Sequence, residues 1–291
     1  MVDQDWITAQ FEQQRPQLRA VAYRMLGSLS EADDAVQETW LRLHRSDADE
    51  IENLGGWLRT VLSRVCLNVL RSRGTRREEL VGTHIPDLVL SSEDGLEPEQ
   101  EALLADSVGL ALHIVLETLT PAERLAFVLH DMFAVPYDEI APIVGRSPDA
   151  ARQLASRARR QVQGAAVPDA EPARQREVVD AFYAAARRGD LQGLVAVLAP
   201  DVVLRVDAGD GRPGSVIVRG AENVAGRALM FARPDAEVRP TLVNGAAGVV
   251  IVVGGRPVSV TGFTVRDGVV VAMDVLNDPE RIAALDLTVL D

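Results

Sequence analysis

Arg152, Gln153, Ser156, Arg157 and Arg160 form a set of side chains able to read or grip nucleic acid. They alternate with Ala151, Ala155, Ala158 and Val162, which recur at helical spacing. The small apolar residues face inward on such a helix and leave the polar set outside. An arginine fork matches guanine and a glutamine amide matches adenine, each pairing worth roughly 1–3 kcal/mol of discrimination. Other members of the set would contact phosphate only. The helix has a clear start: Ser147 is a good N-cap, Pro148 suits the first helical position, and Asp149 favours the positive helix end. Before it, Pro136 can start a helix through Tyr137-Asp138-Glu139-Ile140, and Val144-Gly145-Arg146 is the turn. The spacing predicts a helix-turn-helix suited to a major groove.

Two further clusters carry charge. Residues 57–77 hold six arginines (Arg59, Arg64, Arg71, Arg73, Arg76 and Arg77) and no acid. A cationic face of this kind suits phosphates, and Trp57 at its start either stacks on an unpaired base or packs in the core. Residues 30–52 hold eight acids and two arginines. There Asp33, Asp34, Gln37 and Glu38 share one helix face, which is either solvated or complementary to a basic partner. The formal net charge is −13. Local patches outweigh the total in phosphate binding, so binding to free DNA should be weak without a partner. All the lysine-or-arginine positions are arginine, a matter of genome composition.

The 291 residues allow two or three domains. Cys66 is the single cysteine, which excludes an internal disulfide and a cysteine zinc site. No metal or cofactor is expected. The N-terminal residues do not read as a signal peptide, and no apolar run approaches the ~20 residues of a membrane span. The expectation is a cytoplasmic protein without membrane insertion.

The elements follow from periodicity and caps. A helix is expected over 5–27, with Phe11, Leu18, Val21, Ala22 and Met25 inside, and a second from a Ser30 cap to about Arg45. Asn53 to Gly56 reads as a turn before a basic helix from Trp57 to about Arg73. Residues 80–98 mix Pro, Gly, Ser and acids and read as a linker, followed by a helix from about Pro98 to Thr118. Thr120-Pro121-Ala122-Glu123 carries the capping-box pattern. After a second linker, 164–172, come two helices to about 198. Runs of β-branched residues at 202–206, 216–218, 238–243, 249–253, 258–265 and 269–275 follow, the last two joined by an Asp267-Gly268 turn. Asp278-Pro279 starts a short terminal helix. Helices followed by a mostly antiparallel sheet indicate an α+β domain.

Two stretches of the first 163 residues resemble bacterial sigma factors of the extracytoplasmic-function class. Asp33 to Leu43 is similar to the region 2 helix, and Leu119 to Arg160 is similar to region 4. Arg176 to Asp207 looks like the opening of a SnoaL-like, NTF2-like domain. A subgroup with such a tail has a Trp-Leu-Pro linker motif, a DGGGK loop and a terminal NPDKL. The corresponding positions here are His84-Ile85-Pro86, Asp207 to Arg212, and Asp278-Pro279-Glu280-Arg281-Ile282. The resemblance implies a multidomain chain: two all-α sigma domains (a region 2 helical bundle and a region 4 helix-turn-helix), then an α+β NTF2-like cone. The expected boundaries are 1–79 for region 2, 80–98 for a linker, 99–163 for region 4, 164–172 for a linker and 173–291 for the tail.

By that resemblance Asp33, Asp34, Gln37 and Glu38 would bind core RNA polymerase at the β′ clamp, with the β flap as a second contact. Trp57 and the arginines from Arg59 to Arg77 would meet the −10 element. Ser147 with the outward residues of its helix would meet the −35 element. The 84–86 and 278–282 segments would form a regulatory interdomain contact. Promoter DNA is the other partner, a small molecule is the ligand class for the tail's pocket, and an anti-sigma partner is left open. The tail offers Arg205, Asp207, Asp274 and Tyr183 as polar groups near a pocket but no histidine and no catalytic set, so no enzyme is expected. Two alternatives stand beside this: a ligand-sensing helix-turn-helix regulator that works without polymerase, and a SnoaL-type cyclase or isomerase fused to a DNA-binding module.

Overall fold

A computed structural model describes residues 4–46, 51–77, 84–92, 109–163, 169, 171–209 and 214–290. Described residues within Met1–Glu79 and Val115–Gly164 form one compact unit. Those within Leu80–Glu97, Ser107–Ile114 and Ala165–Asp291 form a second.

The first unit is helical. Helix α1 (Gln4–Leu26), α2 (Leu29–Arg45) and α3 (Leu54–Arg77) pack on one another. Phe11, Leu18, Val21, Ala22 and Met25 of α1 are buried, as are Ala35, Val36 and Leu43 of α2 and Leu58, Leu62 and Val65 of α3. Helix α1 continues unbroken past Pro16. The N-cap position of α2 is Ser28, two residues before the expected Ser30, and its side chain makes no capping hydrogen bond. Gly27 turns the chain with φ 71°, so the next helix begins at once, and the Ser30 hydroxyl meets that of Ser28 at 3.1 Å. Helix α3 absorbs the turn expected at 53–56. The Asn53 side chain accepts the Gly56 N–H at 3.0 Å, an N-cap that fixes two otherwise permissive glycines in the first turn.

Helix α4 (Gly109–Thr118) is described from Gly109 only, so the helix start expected near Pro98 lies outside the described residues. Helix α5 (Pro121–Phe127) opens on a complete capping box between Thr120 and Glu123. A π-helical turn, Val128–Met132, continues it, and α6 (Tyr137–Val144) and α7 (Pro148–Gln163) complete the helical unit. Gly145 ends α6 in the left-handed conformation, φ 70°, which allows the tight turn into α7.

The second unit is built on one seven-stranded sheet: β1 (Leu90–Ser91), β2 (Leu198–Asp207), β3 (Val216–Arg219), β4 (Ala236–Val243), β5 (Ala246–Val253), β6 (Arg256–Arg266) and β7 (Val269–Leu276). The strand order is β1-β4-β5-β6-β7-β2-β3, parallel only between β2 and β7. The helices are α8 (Pro172–Arg188), α9 (Leu191–Ala196), α10 (Ala221–Phe231) and α11 (Pro279–Ala283). Asp267 and Gly268, both at positive φ, make the β6–β7 turn the sequence pattern demanded. Neither α10 nor β1 is legible in the pattern. Helix α10 starts after Gly220 at φ 88° and carries Gly226 inside, a weak helix former held by the burial of Ala221, Val224 and Ala225.

Period-2 alternation gives the sheet two buried faces. Val202, Leu204, Val206, Val249, Phe263 and Met273 pack with Val179, Phe182 and Ala185 of α8, Leu194 of α9 and Val224 of α10. The opposite face buries Val243, Val250, Val260 and Leu276 beneath Ile85, Leu88, Leu90, Leu110 and Ile282. Residues read as a linker thus complete a core. A Cβ on Gly262 would lie 3.2 Å from Leu110, so the bare strand is what lets the Leu110 side chain settle there.

Candidate nucleic-acid interface

Helix α7 presents the polar set as the spacing requires. Ala151, Ala155 and Ala158 are fully buried, while Arg152, Gln153, Ser156, Arg157 and Arg160 are exposed. Alanines let α7 approach α5 and α6 closely, which fixes its orientation. The Ser147 side chain accepts the Ala150 N–H at 3.3 Å. Arg159 is half-buried and serves the fold: it pairs with Asp131 and donates to the Tyr137 hydroxyl at 2.7 Å. The Asp131 carboxylate holds its pKa above the ordinary arginine value.

On α3, Arg64 and Arg71 are exposed and Trp57 is half-buried. Arg59 is also half-buried, with Nη2 3.7 Å from Glu139 of α6. Arg73 ties helices together: it pairs with Glu31 and donates to the Leu26 carbonyl at 2.7 Å. The side chains of Arg76 and Arg77 lie outside the described residues. Beneath this surface Cys66 is fully buried, and burial pushes its thiol up to about 12.

On α2, Asp34 and Gln37 are exposed. Asp33 accepts two bonds from Arg19 of α1, at 2.6 and 3.2 Å. Glu38 is bound to Arg42 one turn on, at 2.8 Å. The four residues share one face, with two of them held in fixed ion pairs.

The second unit gathers the remaining candidates around a carboxylate. Asp207 is 3% exposed. It accepts the Ile85 N–H at 2.9 Å, Arg281 Nη1 at 2.8 Å and the Gly209 N–H at 3.0 Å. Arg281 Nη2 also donates to the Ile85 carbonyl at 2.6 Å and to Asp87 at 3.1 Å. His84 is exposed, with Nδ1 3.8 Å from Asp207. Pro86 and Ile282 are buried, while Pro279 and Glu280 are exposed. Asp278 caps α11 by accepting the Glu280 N–H at 2.9 Å. Residues 84–87 and 278–282 therefore meet, with Asp207 as the hub that sequence reasoning had placed elsewhere.

That hub corrects the expected pocket. Val202, Leu204 and Val206 of β2 take the helix-covered face, so Arg205 and Asp207 must point to the other. Arg205 lies beside Asp274 in register and donates to it at 2.9 Å. Burial raises the Asp274 pKa, and Arg205 opposes that shift. Of the four polar groups only Tyr183 stays with the helix-covered core, its ring 5.4 Å from Phe182 and 6.0 Å from Phe263. Burial raises its pKa too.

Two family models match this chain: Sigma-70 region 2 over residues 10–76, and Sigma-70, region 4 over residues 110–162. The ECF RNA polymerase sigma factor SigJ of Mycobacterium tuberculosis is 40% identical over 96% of this chain and 94% of its own. The chain belongs to the extracytoplasmic-function RNA polymerase sigma factors. A second M. tuberculosis relative, Probable ECF RNA polymerase sigma factor SigI, is 36% identical over 98% of both chains. The crystal structure of SigJ superposes with a TM-score of 0.77 at 36% identity, covering 97% of this chain and all of that one. This sigma factor therefore has the expected fold class, helical regions 2 and 4 followed by an NTF2-like α+β tail. Its function is to direct core RNA polymerase to promoters and start transcription. Among the described residues no helix is long and apolar enough to cross a membrane.

Proposed function

We propose that this sigma factor divides its work among the four surfaces described above. The acidic face of α2 (Asp33, Asp34, Gln37, Glu38) engages the β′ clamp of core polymerase, and the region 4 helices engage the β flap. Trp57, Arg59, Arg64 and Arg71, with Arg76 and Arg77, serve the −10 element, and Arg73 supports that surface by tying α3 to Glu31 and the Leu26 carbonyl. Helix α7 docks in the major groove of the −35 element. The proposed domain limits are 1–79, 99–163 and 173–291, with linkers at 80–98 and 164–172, and the described residues 84–92 of the first linker belong to the same compact unit as the tail. The observation that carries this reading is the exposed Arg and Gln face of α7 over a fully buried alanine stripe.

The tail acts in cis. Its sheet holds the 84–91 segment through the Asp207–Arg281 clasp and the buried Ile85, Leu88 and Leu90. Holding that segment constrains how far regions 2 and 4 can separate on a promoter. Phe182, Tyr183 and Phe263 pack on one another in the helix-covered core, which favours a tail that works through protein contacts over one that senses a metabolite. The reading contains no bond-making step, and its site of action is the cytoplasm, where core polymerase works. The decisive experiment is run-off transcription with purified core polymerase and the full chain on a promoter library. Specific transcripts are expected. Absence of core binding, with duplex DNA bound by the protein alone, would establish the ligand-sensing regulator instead.

A further inference from the structure

Tyr137, the first residue of α6, makes three contacts at once. Its ring stacks on His130, with centroids 3.8 Å apart and planes 24° from parallel. The Arg152 guanidinium lies over the ring, 5.4 Å from its centroid. Its hydroxyl accepts from Arg159 at 2.7 Å. Arg159 pairs with Asp131, and His130 Nδ1 lies 2.9 Å from the Val135 carbonyl. His130 and Asp131 both sit in the π-helical turn, whose extra residue rotates them relative to an α-helical continuation. The chain then leaves through Ala134 at φ 53°, a backbone conformation costly for a residue with a Cβ. The segment before α6 is thus shaped to seat Tyr137 beneath α7.

Arg152 is the exposed polar residue of α7 on which this arrangement acts. Its Nη1 also donates to Asp149 at 2.9 Å. The pair is open to water, 62% and 84% exposed, so it aims the side chain without sequestering it. The Nε–Nη2 edge remains for a second partner. Arg152 is in the first turns of α7, the part of a recognition helix that reaches base edges. Among the described residues, no ion pair or ring contact orients Arg157 or Arg160 further along.

We propose that Arg152 is the specificity-determining residue of this helix, reading a guanine of the upstream promoter element. Tyr137 is its positioning residue, and Arg157 and Arg160 contact phosphates. A pre-aimed fork gives up little rotamer freedom on binding, whereas an unrestrained arginine suits a non-directional phosphate contact. The assignment rests on reading α7 as the −35 helix.

The test uses the full chain with core polymerase on promoters randomised across the upstream element, with transcripts sequenced at several salt concentrations. R152K keeps the charge but loses the planar fork, and should lower the preference for one base at one position by about tenfold or more. Other positions should keep theirs. R157A should lower yield from every promoter alike and flatten the salt dependence. Y137A should lose the same preference as R152K, with nothing further lost in the double variant, while Y137F keeps the ring and the preference. R152K with every positional preference intact overturns the proposal. A folded Y137A with lower yield but unchanged preference overturns the positioning role. If Y137A fails to fold by melting temperature, R152K still decides the assignment. Wild-type protein with no preference anywhere in the upstream element would overturn the reading of α7 itself, and the assignment with it.

Discussion

Arg281→Ala is the sharpest probe of the tail. The substitution removes one hydrogen bond each to Asp207, the Ile85 carbonyl and Asp87. Asp207 is 3% exposed and, among the described residues, would keep the backbone N–H donors of Ile85 and Gly209, with His84 Nδ1 3.8 Å away. Stripping one partner from a buried ion pair costs about 3–5 kcal/mol. The surviving donors and the 20% exposure of the Arg281 side chain argue for the low end, about 3 kcal/mol. That cost falls on a short segment, so it should appear as local opening rather than global unfolding. Each 1.4 kcal/mol is tenfold in an opening equilibrium, which predicts about a hundredfold faster amide exchange. The assay is hydrogen exchange read by mass spectrometry on peptides covering 84–92 and β4. The Ile85 amide is bonded to Asp207 and reports the clasp directly, while the Val89 amide, bonded to Asn244 at 3.2 Å, reports opening further along the segment. Exchange at 84–92 within threefold of wild type, with the same melting temperature, would refute the clasp as the anchor of this segment. R281K should fall between the two, because an ammonium keeps the charge but cannot bridge three acceptors in one plane.

Two further perturbations test the interiors of the two units. Cys66 should resist a thiol reagent at pH 8 and react only on unfolding. Between pH 9 and about 12 the unfolded chain ionises this thiol while the folded chain does not, so stability should fall with rising pH. Cys66→Ala should remove that part of the slope in chemical denaturation, and rapid labelling of the native protein would contradict the burial. In the tail, Arg205→Ala leaves Asp274 buried and unpaired and should destabilise the unit by about 3 kcal/mol at neutral pH. The raised Asp274 pKa means the folded state retains a proton that the unfolded state releases, so the deficit should shrink as pH falls toward 4. A melting-temperature deficit that is flat or grows with acid would refute it.

The sequence by itself determined the elements whose signals are local. The Thr120–Glu123 capping box, the Asp267-Gly268 turn and the alanine stripe of α7 depend on neighbours within one turn or one hairpin, so pattern and structure agree there. The polar face of α7 was legible for the same reason: helical period fixes which side chains point away from a buried stripe. Tertiary structure alone decided three other things. It turned residues read as linker into β1 and part of a core, because Leu90 and Ser91 find hydrogen-bond partners on β4, about 150 residues away. It sent Arg205 and Asp207 to the face opposite the expected pocket, because β2 alternates and its valines and leucine claim the helix-covered side. It gave Arg73 and Arg159 to ion pairs with Glu31 and Asp131, although by sequence they look like any arginine of a basic helix. Periodicity gives the direction of a side chain from its own element, but which distant group meets it there is set only when the elements pack.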